Sequence, residues 1–185
     1  MSCLDEVEPL LGARGEGMGK RDASLFLGSP RAVVPAHFDL HHNLLLQVEG
    51  SKELSLGTFD DPRDHERELD VALSRSRNLA VLPTSVTTFH LEPGDGIYLP
   101  PWGVHWVQGG SEVSVALSCS FSTRMTERTE LTRRWNSRLR QLGRSPLPPG
   151  RSETIDRAKA VAVRSRDRLL ARRPSTRAGR TDGAP

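Results

Sequence analysis

The chain is poor in cysteine, in lysine and in long apolar runs. Its 185 residues hold two cysteines, Cys3 and Cys119, far apart and with no CxxC spacing. That excludes a disulfide framework, leaves no thiolate cluster for a metal, and suits a reducing cytoplasm. Cys119 lies in an apolar run and reads as a small buried residue. No apolar stretch approaches the roughly 18 residues that a membrane-spanning helix needs. The opening MSCLDEVEPLLGARGEG has no basic start ahead of an apolar block, so a secretory signal is not expected there. Aromatic residues make up 5% of the chain, and none interleaves with the arginines near its end, so no base-stacking surface is expected in that tail.

Charge is uneven. The net charge is +3, yet residues 151–185 hold nine arginines, Lys159 and four acidic residues, or +6, which leaves −3 for the rest. A basic tail on a mildly acidic domain suits RNA, DNA or an acidic surface as a partner; a simple solvated tail is the plainer alternative. Mean hydropathy is −0.47, and the apolar residues concentrate between Ser24 and Phe121. A core is expected in that interval, with polar ends.

Inside it, short apolar or alternating segments are separated by turn residues. SLFLG reads as a strand ended by Ser29-Pro30, and RAVVP as another ended by Pro35. Asn43 to Glu49 is a strand-length apolar run bounded by Gly50, with KELSLGTF as its hairpin partner. Gln47 in that run needs an internal hydrogen-bond partner. Residues 60–78 read as a charged loop and a short exposed helix, with His65 on the surface. SVTTFHL, the turn Pro93-Gly94-Asp95-Gly96, IYLP and EVSVALSCSF complete the set. Strands of this length without a βαβ rhythm predict a mainly β fold, an antiparallel barrel or sandwich.

After Ser122 the period changes. Met125, Leu131, Trp135, Leu139 and Leu142 fall near helical spacing, and Gly143 is a stop. SPLPPG is a rigid linker. A second helix opens at Ser152, carrying Ile155, Ala158, Ala162 and Leu169 on one side. Apolar stripes beyond a barrel need a cover, either the barrel itself or a second copy of the chain.

The candidate chemistry lies in PAHFDLHHNLLLQVEGSK. His37 and Asp39 are two apart, so in an extended chain both point to one side. The segment LEPGDGIYLPPWGVHWV offers a third ligand, His105. Two imidazoles and one carboxylate form the facial triad of non-haem Fe(II) sites, which leaves coordination positions open. Lys52, one of three lysines against twenty-three arginines, stands out in an apolar strand, either as a cation inside the barrel or as a surface lysine on a strand edge. Tyr98 and Trp102 flank the distal ligand and either wall an entrance or pack the barrel.

The order of these parts resembles the JmjC-like cupin family of Fe(II)/2-oxoglutarate-dependent oxygenases, which includes the asparaginyl hydroxylase of hypoxia-inducible factor and its bacterial relatives. The resemblance runs from about Ser24 to Thr123. It implies a double-stranded β-helix (cupin or jelly-roll barrel) with a C-terminal helical extension. It also implies that His37, Asp39 and His105 hold Fe(II) and that Lys52 binds the 2-oxoglutarate carboxylate with Asn43 lining the same pocket. The domain reading is a short N-terminal segment over 1–23 that covers the site incompletely, a barrel over 24–123, helices over 124–173 and a disordered basic tail over 174–185. The family often carries Thr three residues before the first His; Val34 stands there, without a hydroxyl. The implied function is hydroxylation of a protein side chain or another cytoplasmic substrate, protein or RNA-associated, with homodimerisation through the C-terminal helices. The alternatives are a metal-binding cupin that serves as a binding or structural module without turnover, and a cupin for another divalent metal that needs no 2-oxoglutarate.

Overall fold

A computed structural model describes residues 3–11, 17–74 and 79–171. Helix α1 (Cys3–Leu11) precedes strands β1 (Gly19–Gly28), β2 (Val33–Phe38), β3 (His42–Glu49) and β4 (Lys52–Thr58). Helix α2 (Pro62–Ser74) interrupts the strands, which resume as β5 (Ser85–Leu91), β6 (Gly96–Leu99), β7 (Val104–Gly109) and β8 (Ser114–Ser122). Helices α3 (Arg124–Gln141) and α4 (Glu153–Ala171) follow.

The strands form two four-stranded antiparallel sheets, ordered β1-β8-β3-β6 and β2-β7-β4-β5. Successive strands alternate between the sheets, except that β4 and β5 pair within one sheet on either side of α2, and the mainly β fold is a double-stranded β-helix with a helical extension. One consequence corrects the sequence reading: β3 and β4 are not hairpin partners. β3 pairs with β6 and β8, whereas β4 pairs with β5 and β7. Gly50, at φ 65°, carries the chain across from one sheet to the other. Alternation in these strands therefore sorts side chains between the barrel interior and two outer faces.

Three apolar clusters result. Leu45, Leu54, Leu91, Leu99 and Ala116 fill the interior between the sheets. Leu4, Cys119 and Phe121 lie under α1 on the outer face of the first sheet, which confirms Cys119 as buried. Ala36, Phe38, Leu69, Trp102 and Val104 lie under α2 on the second. The helix over residues 62–74 is therefore not simply exposed: Leu69 is 1% accessible. His65, expected on the surface, is part-buried and contacts Phe38 and the carbonyl of Trp102.

Two strand ends differ from expectation. β1 starts at Gly19 rather than Ser24, because β8 is long enough to pair with it down to Gly19↔Ser122. β2 does not stop at Pro35. It is an edge strand with a bulge between Val34 and His37, and Pro35 sits in that bulge, where a missing N–H costs no ladder bond. Gln47 finds its partners in the carbonyls of Glu49 (2.7 Å) and Gly50 (2.9 Å).

The helical extension also differs in its buried face. On α3 the fully buried side is polar: Thr132 reaches the carbonyl of Asp156, and Asn136 donates to the carbonyl of Leu147 and accepts from Lys159. Met125 and Leu142 of the expected apolar stripe are exposed, and Leu131, Trp135 and Leu139 are half-buried. On α4 the buried residues are Asp156, Ala160 and Val163 instead of the Ile155 and Leu169 side. Asp156 fixes that rotation by accepting from the N–H of Gly150 at 2.7 Å. A capping box between Thr123 and Thr126 starts α3 directly at the end of β8. Tail residues 172–185 lie outside the described residues.

Candidate metal centre

The bulged end of β2 builds half of the site. Phe38 points outward into the cluster under α2, so its neighbours His37 and Asp39 turn into the barrel. The start of β7 builds the other half. Val104 packs outward and His105 inward, directly across from His37 in the register. The donor atoms of His37, Asp39 and His105 all lie within 4.8 Å of one another. Nε2 of His37 is 3.7 Å from Oδ1 of Asp39, and Nε2 of His105 is 3.7 Å from Oδ2.

Both imidazoles are oriented by backbone. Nδ1 of His37 donates to the carbonyl of Pro35 at 2.8 Å, and Nδ1 of His105 donates to the carbonyl of Gly103 at 3.3 Å. A carbonyl only accepts, so Nδ1 carries the proton and Nε2 keeps its lone pair for a metal. Burial and the neighbouring His37 hold the His105 imidazole below the usual range, against an opposing pull from Asp39. The donor set is two nitrogens and one carboxylate, with Cys119 on the far side of the sheet. It fits a divalent transition-metal ion.

Behind the triad lies a cavity of about 470 Å³. It is lined by His37, Asp39, Asn43, Lys52 and His105, with Leu45, Leu54, Leu99 and Val107 as dry walls. Lys52 and His105 enter it from adjacent strands: Lys52 pairs with Gly109 and Leu56 with His105. Four residues of strand separate the two positions, or roughly 13 Å. Lys52 is 7% accessible, and its ammonium has no hydrogen-bond or ion-pair partner among the described residues. Burial pushes its pKa down from the ordinary lysine range. A cation kept in such a place calls for an anion in the cavity.

Asn43 does more than line the wall. Its Nδ2 points at Oδ2 of Asp39 (3.4 Å), and its Oδ1 accepts from the hydroxyl of Ser118 (2.7 Å). A carboxylate only accepts, which settles the amide orientation. Sequence reading did not single out Ser118; no local signal marks a serine that faces inward from β8. Val34 borders the same cavity and offers it no hydroxyl. Tyr98 and Trp102 do not line it. Tyr98 bonds to Nδ1 of His42 at 2.6 Å, and Trp102 is buried in the cluster under α2. No helix among the described residues is long and apolar enough to cross a membrane.

A family model of the JmjC domain matches residues 18–131. The chain is similar to Jumonji C domain-containing protein 5 of Drosophila melanogaster, 34% identical over 101 residues, which is 49% of this chain and 25% of that protein. It thus spans about a quarter of that relative's length. Among solved structures it is similar to a cupin superfamily protein of Desulfitobacterium hafniense DCB-2 (16% identity, 58% of this chain and 73% of that one, TM-score 0.37). It is also similar to hydroquinone 1,2-dioxygenase of Sphingomonas sp. TTNP3 (14%, 56% and 60%, TM-score 0.42). The cupin-fold chain of Drosophila melanogaster CENP-C bound to CAL1 matches at 15% identity, over 54% of this chain and 60% of that one, with TM-score 0.38. With its barrel matched from β1 to the first part of α3, the chain belongs to the JmjC domain family.

Proposed function

We propose that this chain is an Fe(II)/2-oxoglutarate-dependent oxygenase that hydroxylates a cytoplasmic substrate, a protein side chain or a group on an RNA-associated partner. The observation that carries the reading is Lys52, a residue 7% accessible whose ammonium has no partner among the described residues, lining the same cavity as the His37, Asp39 and His105 triad. A metal site alone needs no such cation; a metal site with a dicarboxylate cosubstrate does.

His37 and His105 would hold the ion through Nε2, and Asp39 through one carboxylate oxygen. Lys52 would pair with the far carboxylate of the cosubstrate, a charge-assisted contact of about 1.5–3 kcal/mol. When bound, iron and 2-oxoglutarate supply the redox chemistry: decarboxylation to succinate and CO2, coupled to hydroxylation of a C–H bond. The chain positions these groups and keeps water from the walls formed by Leu45, Leu54, Leu99 and Val107. Exposed apolar residues on α4 and just after α3, among them Leu142, Val161 and Leu169, support self-association through the extension.

A second reading, a metal-binding module without turnover, has one observation in its favour. Val34 leaves the cosubstrate end of the cavity with no side-chain hydroxyl from β2. The test is succinate formation from 2-oxoglutarate with added Fe(II), comparing the natural chain with His37→Ala and Lys52→Ala. Turnover that both substitutions remove supports the oxygenase. Metal uptake through His37 without any succinate selects the module.

A further inference from the structure

Trp102 is the residue between the two halves of the triad. It adopts φ 67°, a left-handed backbone conformation that a bulky side chain rarely takes. Glycine would be the ordinary choice there, and Gly103 stands one position too late to relieve it. Three contacts hold it. Its N–H donates to the carbonyl of Asp39 at 2.7 Å. Its carbonyl accepts from Nε2 of His65 at 3.1 Å. Its ring lies under the guanidinium of Arg133, 5.2 Å from the centroid, and Arg133 is tied to Glu66 at 2.6 Å.

These contacts have one result. The turn that delivers His105 is fastened to Asp39 on one side and to α2 and α3 on the other. His65 also packs its ring against Phe38, 5.4 Å between centroids. Phe38 lies between His37 and Asp39 in the chain, so His65 touches both ligand-bearing segments while touching no ligand.

We propose that His65 is a positioning residue for the metal centre: through the Trp102 carbonyl it fixes the distance between Asp39 and His105 that the ion requires. A strained turn held at its carbonyl by a side chain from a separate helix is a placement device, since hydrophobic packing alone would let the turn relax. The bond asks only for a proton on Nε2. Burial lowers the His65 pKa and favours the neutral ring, which donates from Nε2 as well as the charged one does. The effect is therefore geometric, independent of pH near neutrality.

The inference rests on the metal-site reading of the triad but not on 2-oxoglutarate. Co(II) titration of the metal-free protein, followed by its visible absorption, tests it without turnover. His65→Leu is expected to weaken Co(II) binding by roughly tenfold, the lower end of what outer-shell partners contribute. His65→Gln, which can donate to the same carbonyl, is expected to recover most of that loss. Arg133→Met, which loosens the indole from the other side, is expected to weaken binding in the same direction and serves if His65→Leu does not fold. Thermal melts accompany each titration. Equal Co(II) affinity in natural, His65→Leu and Arg133→Met proteins overturns the inference alone. A natural chain that takes up no Co(II) overturns the metal-site reading and this inference with it. Weakened binding in His65→Leu that Gln does not restore assigns the loss to packing and also overturns it.

Discussion

His37 and His105 lie directly opposite one another on β2 and β7, with ring centroids 4.3 Å apart and planes tilted by 54°. Each donates from Nδ1 to a carbonyl two residues earlier, so both present Nε2 to the carboxylate of Asp39. The one-residue bulge at Pro35 makes this possible. Without the shift between Val34 and His37, His37 would fall opposite Val104 and its side chain would leave the cavity.

Removing one donor should remove the site. His37→Ala, Asp39→Asn and His105→Ala are each expected to lower affinity for a divalent ion by more than the roughly 10–100-fold that outer-shell partners contribute. Equilibrium dialysis against Mn(II) measures it. Unchanged uptake in all three variants would refute the triad.

Under the proposed function, Lys52 would set stability against cosubstrate binding. A lysine whose pKa is lowered on folding binds fewer protons folded than unfolded, so the apo protein gains stability as pH rises from the lowered pKa towards the ordinary one. Below that window the buried charge is a cost. Lys52→Met is accordingly expected to raise the apo melting temperature, by about 2–4 °C for each kcal/mol relieved, while weakening 2-oxoglutarate about ten- to hundredfold. Affinity for 2-oxoglutarate in the natural chain should decline before pH reaches the ordinary lysine range. A variant that melts lower and binds equally well would contradict both halves.

Val34 borders the cavity that Lys52 enters. Val34→Thr adds a hydroxyl there with little change in volume, and is expected to tighten 2-oxoglutarate binding about two- to tenfold, the yield of one net hydrogen bond. Calorimetric titration measures it. Looser binding would place the cosubstrate elsewhere.

Asn43 and Ser118 act in series on Asp39. Asn43→Leu is expected to reduce divalent-ion affinity about tenfold, and Ser118→Ala to reduce it less, because the amide can still reach the carboxylate. A metal titration of both variants ranks them. The reverse order would mean that Ser118 serves the core alone.

Gly50→Ala should destabilise the barrel. The position has φ 65°, and a Cβ would stand 2.4 Å from the carbonyl oxygen of Val113. The expected loss is above about 1 kcal/mol, visible as a lower melting temperature. Since Gly50 is two residues before Lys52, weaker cosubstrate binding should accompany it. An unchanged melt would show that the crossover adapts.

Much of this was legible along the chain. His37 on β2, Asp39 just after it, Asn43 on β3 and Lys52 on β4 lie within sixteen residues, and alternation places the first pair on one side of the chain. The apolar and turn residues between Ser24 and Phe121 dictate short strands, because extended segments with a period of two bury one face each. Where readings failed, the deciding contact was distant in sequence. His65 looked like a surface residue among charges until the fold brought Trp102 to it. The hairpin reading of β3 and β4 failed because pairing preference between strands is not encoded by adjacency when a glycine can carry the chain into the other sheet. The apolar stripes of α3 and α4 misled because the buried faces of those helices hold Thr132 and Asn136, which donate to carbonyls, and Asp156, which accepts from Gly150, beside only Ala160 and Val163.

Local pattern and composition were enough for the class of fold, the candidate ligand types and the scarcity of lysine that marks Lys52. That His105 faces His37, that Ser118 bonds to Asn43, and that Lys52 lines the same cavity without a partner among the described residues came from the folded barrel. Those facts depend on register between strands far apart in the chain, and register is fixed by the whole barrel closing at once.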